Sequence, residues 1–335
     1  MTTPAIAVFG AGLVGARHVA QAAAQARLAA IVDPAPAARD LAAQHDVPWF
    51  ADPAAYLDAH SPDGAVIATP NALHADHAVA CLARRIPCLI EKPIADAVAD
   101  ATRIVDASAQ HETPVLVGHH RRHNPIIARA KAIIDAGTLG DITAVTGQFW
   151  LYKPDDYFDA TWRTQPGGGP TMINCIHDID LMRHLVGDIT DLQAMRSHAR
   201  RGLAVEDTAA ITLRFANGAL GSFSISDTVT APWSWEMTSA ENPIYPHVPD
   251  SCYRIGGTHG SLSLPDLTLW THDGPRSWWK PISGTRQDIP HADAFARQFT
   301  HFLDVIAGTP PAVSAAEGRA SLAATLKVLE PDPGA

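Results

Sequence analysis

The chain has 335 residues, of which 47% are hydrophobic and 18% are charged, and its formal net charge is -10. This length exceeds the usual size of a single hydrophobic core, so we expect two globular domains. The acidic balance argues against a basic face for nucleic acid and favours a small molecule as the partner. No stretch reaches the roughly 18 uninterrupted apolar residues of a membrane-spanning helix, so we expect no membrane partner.

The four cysteines are far apart and form no C-x-x-C pair, which argues against a disulfide framework and against a cysteine zinc site. We therefore expect a reducing, cytoplasmic location. Histidine is frequent, and His119, His120 and His123 lie close together in the sequence. Arg121 and Arg122 lie inside this cluster and would repel a cation, so we expect no metal site.

The first part of the chain alternates short apolar runs with alanine-rich amphipathic stretches, which is typical of a parallel sheet with crossover helices. The predicted strands are Ile6–Phe9, Ala29–Val32, Gly64–Ala68, Pro87–Ile90 and Pro114–Val117. The predicted helices are Val14–Ala26, Ala37–His45, Ala75–Arg84 and Ala97–Gln110. The pattern predicts an α/β fold with a doubly wound Rossmann domain over residues 1–120.

The remaining sequence has longer strands with alternating apolar and polar residues. Its predicted elements are a helix from Pro125 to about Ala136 and strands over Thr143–Leu151, Ala209–Phe215 and Ala219–Ser226. The tripeptide Ala216-Asn217-Gly218 is typical of a hairpin turn between the last two strands. These features predict a second, α+β domain with a large open, mainly antiparallel sheet over residues 121–335. That range includes a final helix whose apolar face is formed by Phe295, Phe299, Phe302 and Ile306.

A glycine-rich turn follows the first predicted strand and begins the first predicted helix. Its sequence is Gly10-Ala11-Gly12-Leu13-Val14-Gly15, the spacing of a dinucleotide-binding turn. The first two glycines let the backbone turn tightly and approach a pyrophosphate, whose charge meets the free N–H groups of the helix. We assign Gly10, Gly12, Leu13, Val14 and Gly15 to cofactor binding.

Asp33 ends the second predicted strand, where a carboxylate can accept hydrogen bonds from the adenosine ribose. Its negative charge would repel a 2'-phosphate, which favours NAD over NADP. Arg39 lies close in sequence and keeps NADP as the less favoured alternative.

Lys92 lies in the motif Glu91-Lys92-Pro93, just after a strand of the parallel sheet, where such sheets bind their ligands. A lysine there can hold a substrate hydroxyl and accept its proton if its pKa is lowered. An ordinary surface lysine is the alternative interpretation.

A triple glycine and Pro170 precede a predicted helix that extends through Val186. Its apolar stripe consists of Met172, Ile176, Ile179, Met182 and Val186. Helical spacing puts Asn174 and His177 nearly opposite this stripe, so His177 is expected to face a cleft, where it could donate or accept a proton. A solvated histidine is the competing interpretation.

These motifs together resemble the glucose-fructose oxidoreductase, inositol dehydrogenase and rhizopine catabolism (Gfo/Idh/MocA) family over nearly the whole chain. The matching residues are Gly10 to Gly15, Thr69-Pro70-Asn71 with His74, Glu91-Lys92-Pro93, Gly118-His119-His120-Arg121-Arg122, Trp162-Arg163, and His177-Asp178-Ile179-Asp180. The resemblance implies an NAD(H)-dependent dehydrogenase that acts on a CH–OH group of a sugar, polyol or sugar acid. It also implies that the second domain forms homodimer or homotetramer contacts.

The resemblance makes Lys92 the catalytic lysine and His177 its partner at the substrate. The cofactor cleft is expected to include Thr69, Pro70, Asn71, His74, Glu91 and Lys92. The residues expected to contact the substrate are Asn174, Trp162, Arg163, Tyr152, Arg122 and His120. The aromatic residues of this set suit the apolar side of a sugar ring or an arene, although an exposed loop is the alternative for their segment.

The chain departs from the family pattern at one position. Many members have an aspartate four residues before the histidine, whereas this chain has Ile173 there and Asn174 next to it. Asparagine can hydrogen-bond a substrate but cannot take its proton at neutral pH.

Two other functions remain open at this point. The family includes dehydrogenases of cyclic dihydrodiols, and the second domain is rich in tryptophan. A nucleotide-binding sensor without turnover is the other alternative, against which the presence of both Lys92 and His177 argues. The segment 228–252 is either a lid or an oligomer contact.

Overall fold

The computed structural model of the chain describes residues 3–331, so the outer ends of both predicted domain ranges lie outside the described residues. The chain divides into two compact units. The first contains the residues up to His120 together with Phe295–Leu322, and the second contains Arg121–Ala294 and the chain from Ala323. Within residues 3–331, no helix has both the length and the apolar character needed to cross a membrane.

A six-stranded parallel sheet forms the centre of the first unit. Its strands are β1 (Ala5–Phe9), β2 (Arg27–Val32), β3 (Trp49–Phe50), β4 (Gly64–Ile67), β5 (Cys88–Ile90) and β6 (Val115–Val117). Its helices are α1 (Leu13–Gln25), α2 (Pro36–Gln44), α3 (Pro53–Ala59), α4 (His74–Leu82) and α5 (Val98–Gln110). The strand order β3-β2-β1-β4-β5-β6 confirms the predicted Rossmann fold.

The strands of this sheet are apolar throughout because helices cover both faces. Every residue of β1 is buried, for example. The short elements β3 and α3 were not predicted, since two strand residues give no periodic pattern. Asp52 begins α3 by accepting hydrogen bonds from the N–H groups of Ala54 and Ala55.

An eight-stranded sheet is the centre of the second unit. The helices α6 (Pro125–Asp135), α7 (Ile176–Val186) and α8 (Trp235–Thr238) belong to this unit. Its strands are β7 (Ile142–Trp150), β8 (Ile189–Ser197), β9 (Thr208–Phe215), β10 (Leu220–Ser226), β11 (Tyr253–Gly257), β12 (Gly260–Leu264), β13 (Thr268–Thr271) and β14 (Ser283–Arg286). The order is β14-β13-β12-β11-β7-β10-β9-β8, and every neighbouring pair is antiparallel except β7 and β10. The predicted mainly antiparallel sheet is confirmed.

Strand β9 shows how the sequence builds this sheet. Ala209, Ile211, Leu213 and Phe215 are buried in the core, and the residues between them are exposed. The predicted hairpin to β10 is present, with Gly218 at a φ of +87° in the turn. One face of the sheet therefore packs on the core of the unit.

The helix predicted from Pro170 to Val186 is present but differs from the prediction in its surroundings. Its first turn, Thr171–Cys175, is π-helical, and α7 follows directly. Every residue of α7 except His184 is buried, so the polar side of the helix is enclosed rather than solvated. The physical reason is that Arg121 and Arg122 are buried against the aspartates on the polar side of this helix.

The last two helices, α9 (Ala294–Ile306) and α10 (Ala315–Lys327), correct the predicted domain ranges. Helix α9 packs with the Rossmann sheet, because a Cβ atom on Gly64 of β4 would lie 2.6 Å from Cδ1 of Ile306 and 3.0 Å from Cζ of Phe302. The segment Phe295–Leu322 thus belongs to the first unit rather than to residues 121–335. The apolar spacing predicts a packed helix but does not indicate which core receives it.

Candidate active site

The glycine turn between β1 and α1 has the geometry of an anion site. Gly10 has a φ of +89°, and a Cβ atom there would lie 2.4 Å from the carbonyl oxygen of Ala68. A Cβ atom on Gly15 would lie 2.1 Å from the carbonyl oxygen of Gly10. These two glycines are therefore required by close backbone packing.

Gly12 differs from its two neighbours in the motif. No atom lies within 4 Å of a Cβ atom built there, and Gly12, Leu13 and Val14 are all exposed. Gly12 is the N-cap of α1, and no side chain caps the free N–H groups of this helix end. The turn therefore leaves an open approach and unsatisfied donors for a phosphate group, and the residues present fit a bound dinucleotide.

Asp33 connects the glycine turn to the loop after β2. Its Oδ2 atom accepts a hydrogen bond from the Ala11 N–H at 2.7 Å, and its Oδ1 atom accepts one from Ala35 at 2.7 Å. Each carboxylate oxygen has two lone pairs, so acceptor capacity remains for ribose hydroxyls. Arg39 lies over the ring of Trp49, with its guanidinium carbon 5.9 Å from the ring centroid.

The loop after β4 contains Thr69, Pro70 and Asn71, as predicted for one edge of the cofactor cleft. Thr69 is half-buried, whereas Pro70 and Asn71 are exposed. The structure gives His74 a different position from the predicted one. Its ring is 1% exposed, with Nε2 at 2.8 Å from the Thr69 carbonyl and Nδ1 at 3.0 Å from the Pro93 carbonyl. His74 thus connects two loops and is too buried to contact a cofactor directly.

The loop after β5 is held by a buried acid. Glu91 Oε1 lies 2.7 Å from Nε2 of His18, and its Oε2 accepts a hydrogen bond from the Lys92 N–H at 3.1 Å. Burial alone would raise the pKa of Glu91, but its bond with His18 and the nearby Lys92 and His120 lower it to about 2. Glu91 is therefore a fixed anion that positions the backbone of Lys92.

Lys92 lies at the start of this loop and is half-buried, and its peptide bond to Pro93 is cis. A Cβ atom on Gly118 would lie 3.0 Å from the side chain of Glu91, so the loop after β6 packs directly on this acid. His120, at the end of the first unit, is half-buried beside Phe295, with a ring distance of 6.3 Å.

The two arginines that follow His120 are buried in the second unit. Arg122 donates from Nε and Nη2 to Asp180 at 2.8 and 2.7 Å, and both side chains are almost fully enclosed. The predicted substrate contact of Arg122 is therefore wrong, because its fork of donors is bound to an internal carboxylate. This pair also explains why the polar side of α7 is buried.

Arg121 forms a second buried network with α7. It donates to Asp178 and to Glu236, in each case at 2.8 Å, and the Tyr253 hydroxyl also donates to Asp178. Burial raises the pKa of Asp178 to about 6, although Arg121 opposes this shift. Glu236 lies in α8, so part of the segment 228–252 packs on this network within the second unit.

Asn174 and His177 lie at the start of this buried helix. Glu206 fixes the start of the π-helical turn by accepting a hydrogen bond from the Thr171 N–H at 2.9 Å. His177 is 6% exposed, and Asn174 is half-buried. Single-turn π-helical segments are frequent at functional sites, which favours a functional role for the residues of this turn.

Lys153 lies in the aromatic segment predicted to form part of the substrate wall, and it contacts Asn174. Its Nζ atom donates to Oδ1 of Asn174 at 2.9 Å and lies 3.9 Å from Oδ2 of Asp227. Burial lowers the pKa of Lys153 to about 8, although Asp227 opposes the shift. The sequence predicts that this segment lines the substrate, but it does not predict that Lys153 contacts a residue 21 positions later in the chain.

The aromatic segment that includes Tyr152 and Trp162 is accessible. Tyr152 is 49% exposed and Trp162 is 58% exposed. The guanidinium carbon of Arg163 lies 4.0 Å from the ring centroid of Tyr157 and 5.3 Å from that of Trp162. Exposed rings with a stacked arginine suit the predicted contact with a ring-shaped small molecule.

The fold and the glycine turn define the class of protein, an oxidoreductase with an NAD-binding Rossmann domain. Residues 5–119 match the family model described as "Oxidoreductase family, NAD-binding Rossmann fold", and residues 127–263 match the GFO/IDH/MocA C-terminal domain. The chain therefore belongs to the GFO/IDH/MocA oxidoreductase family, which confirms the predicted resemblance.

Two relatives illustrate the similarity in sequence. Inositol 2-dehydrogenase 2 from Saccharopolyspora erythraea is 30% identical over 276 residues, which cover 79% of this chain and 75% of that protein. The rhizopine catabolism protein MocA from Rhizobium meliloti is 31% identical over 190 residues, which cover 56% of this chain and 58% of MocA.

A solved structure shows the same fold over both units. It is an oxidoreductase from Agrobacterium radiobacter in complex with NAD+, L-tartaric acid and magnesium. It has a TM-score of 0.80 and covers 98% of this chain and 97% of that chain, at 19% identity. At this identity the likeness supports the fold alone.

Proposed function

We propose that the protein is an NAD-dependent dehydrogenase that transfers a hydride between a secondary alcohol of a sugar, polyol or sugar acid and the nicotinamide. The observation that supports this most strongly is the open glycine turn at Gly12, which lies at the same sheet edge as the loop of Lys92. Relatives named inositol 2-dehydrogenase support the CH–OH substrate class.

The cofactor is proposed to be NAD. Gly12, Leu13 and Val14 would offer backbone N–H groups to the pyrophosphate, and Asp33 would accept hydrogen bonds from the adenosine ribose. When bound, NAD would supply the hydride acceptor of the oxidation. The Asp33 carboxylate disfavours a 2'-phosphate, because two negative groups would be brought together.

The chain's own residues are proposed to bind the alcohol and take its proton. Lys92 would accept the hydroxyl proton, and His177 would hydrogen-bond the same hydroxyl. Glu91 holds the Lys92 backbone through the 3.1 Å hydrogen bond, which supports a fixed position for this lysine. Substrate contacts are proposed for Asn174, Trp162, Arg163, Tyr152 and His120.

A homodimer or homotetramer is proposed through the outer face of the eight-stranded sheet. Met195 on β8 is 69% exposed, Leu220 on β10 is 52% exposed and Trp270 on β13 is 41% exposed. Exposed apolar side chains on one face of a sheet favour a protein contact. Light scattering after size exclusion tests this, and a monomer at micromolar concentration would contradict it.

The reaction is tested by following the absorbance of reduced nicotinamide with NAD+ and a panel of inositols, aldoses, sugar acids and dihydrodiols. Turnover of one sugar, polyol or sugar-acid class is the expected result. Turnover of dihydrodiols alone would replace the proposed substrate class. If no compound of the panel reduces NAD+ although calorimetry shows that NAD+ binds, the proposed oxidation would be contradicted and a nucleotide-binding sensor favoured.

A further inference from the structure

The second unit contains a buried ammonium group whose hydrogen-bonding capacity is mostly unused. Lys153 follows β7 and is 6% exposed. Its backbone is fixed on both sides, because its N–H donates to the Asp227 carbonyl at 2.9 Å and its carbonyl accepts from Arg201 at 2.7 Å. Its backbone is therefore fixed, and its side chain is enclosed and bound to Asn174, unlike that of a mobile surface lysine.

The nearest carboxylate only partly compensates this charge. Oδ2 of Asp227 is 3.9 Å from Nζ of Lys153, which is beyond hydrogen-bond distance, and Oδ1 accepts a hydrogen bond from Arg201 at 2.8 Å. The ring centroid of Tyr157 lies 4.9 Å from Nζ. An ammonium has three donors, and among residues 3–331 only Asn174 accepts a hydrogen bond from this one.

The contact with Lys153 also determines which way the Asn174 amide points. An ammonium group can only donate, so the atom of Asn174 that lies 2.9 Å from Nζ must be the amide oxygen. The Nδ2 group of Asn174 is then left as a donor for a ligand. Nζ of Lys153 and Nδ2 of Asn174 are both hydrogen-bond donors. The aspartate that many family members have near this position would provide only acceptors.

We propose that Lys153 and Asn174 form a donor subsite for an acceptor oxygen of the substrate, so that the enzyme prefers a sugar acid or another hydroxy acid over the corresponding polyol. The inference rests on the proposed function and narrows its substrate class. A carboxylate is the strongest acceptor that such a substrate can offer, and it would supply the charge that the buried ammonium lacks.

The environment of Lys153 gives this preference a measurable proton signature. Burial lowers the pKa of Lys153 to about 8; Asp227, Glu236 and Glu206 raise it, and Arg201 lowers it. A bound carboxylate would favour the charged form and raise this pKa. Near pH 8, binding of an acid should therefore take up a fraction of a proton, whereas binding of a polyol should not.

The test compares acid and alditol pairs of the same carbon skeleton: L-tartrate with L-threitol, galactarate with galactitol, and D-gluconate with D-glucitol. Calorimetry of the full chain with saturating NAD+ measures affinity, and buffers of different ionisation enthalpy measure proton uptake. For at least one pair we expect the acid to bind about tenfold or more tightly than the alditol.

Three variants identify the groups responsible. In Lys153→Met the preference for the acid and the proton uptake should both disappear, whereas Lys153→Arg, which keeps a charged donor, should retain part of the preference. Asn174→Asp should reverse it, because a second carboxylate would repel the acid. Lys280→Met, at an exposed lysine, is the matched control and should behave as the wild type.

Tighter binding of the alditol, an acid preference that survives in Lys153→Met, or binding of neither member of every pair would overturn the inference. These results can be separated from failure of the proposed function. Oxidation of polyols without an acid preference would support the proposed dehydrogenase and contradict the subsite. An acid preference in binding without NAD+ reduction would support the subsite and contradict the proposed reaction.

Discussion

Replacing Arg122 by methionine should destabilise the second unit without changing substrate binding. The guanidinium donates twice to Asp180, and the side chains are 4% and 2% exposed. Removing one partner of a buried ion pair leaves the other charge uncompensated, at a cost of about 3 to 5 kcal/mol. For a unit of this size, the midpoint of thermal unfolding should fall by about 6 to 20 °C.

Urea unfolding followed by tryptophan fluorescence measures this loss, because Trp49 is the one tryptophan of the eight that lies outside the second unit. The double variant Arg122→Met/Asp180→Leu should recover most of the stability, since it removes both charges of this ion pair together. Arg276→Met, at an exposed position in the loop between β13 and β14, is the control and should change stability by less than about 0.5 kcal/mol.

The reasoning would be refuted if Arg122→Met lost less than about 1 kcal/mol and raised the substrate KM about tenfold or more. That result would indicate that Arg122 contacts the substrate. A large loss of stability with an unchanged KM in the folded fraction would support the internal role.

Three further perturbations test the site. Gly10→Ala should destabilise the first unit, because its Cβ would lie 2.4 Å from Ala68, whereas Gly12→Ala should unfold like the wild type and weaken NAD+ binding in calorimetry. The pKa of Glu91 is lowered from 4.5 to about 2, so the stability that its charge provides is fully present above pH 4.5 and is lost as the pH falls towards 2. In urea titrations, the difference in the free energy of unfolding between the wild type and Glu91→Gln should be smaller at pH 3 than at pH 6. An equal difference at both pH values would contradict this role. Galactarate affinity should fall as the pH rises through about 8, where Lys153 loses its proton, and a flat profile would count against the donor subsite.

Local patterns were sufficient to predict the Rossmann sheet and the β9–β10 hairpin. The strands of the parallel sheet are short apolar runs, and Gly10 has the positive φ that its motif requires. The hairpin followed from the turn around Gly218, where the required backbone angle is encoded in a single residue.

The wrong predictions concern contacts between residues far apart in the chain. Arg122 and Asp180 are 58 residues apart, and nothing in the local sequence indicates that one neutralises the other. The hydrophobic periodicity of the helix after Pro170 likewise does not predict that its two aspartates are buried against Arg121 and Arg122.

The placement of α9 and the role of Lys153 have the same origin. The apolar face of α9 would suit either core, and only its contact with Gly64 assigns it to the first unit. The site role proposed for Lys153 rests on its contacts with Asn174 and Asp227, which are distant in sequence. Sequence patterns predict which side chains can do chemistry more readily than which of them meet.

The most direct test of the central claim is the effect of Lys92→Met on turnover and on NAD+ affinity, measured with the best substrate of the panel. Removal of a general base should reduce kcat by about a hundredfold to ten-thousandfold and leave the Kd for NAD+ within about threefold of the wild type. Lys280→Met should match the wild type in both. An unchanged kcat, or a loss of NAD+ affinity as large as the loss of turnover, would contradict the role proposed for Lys92.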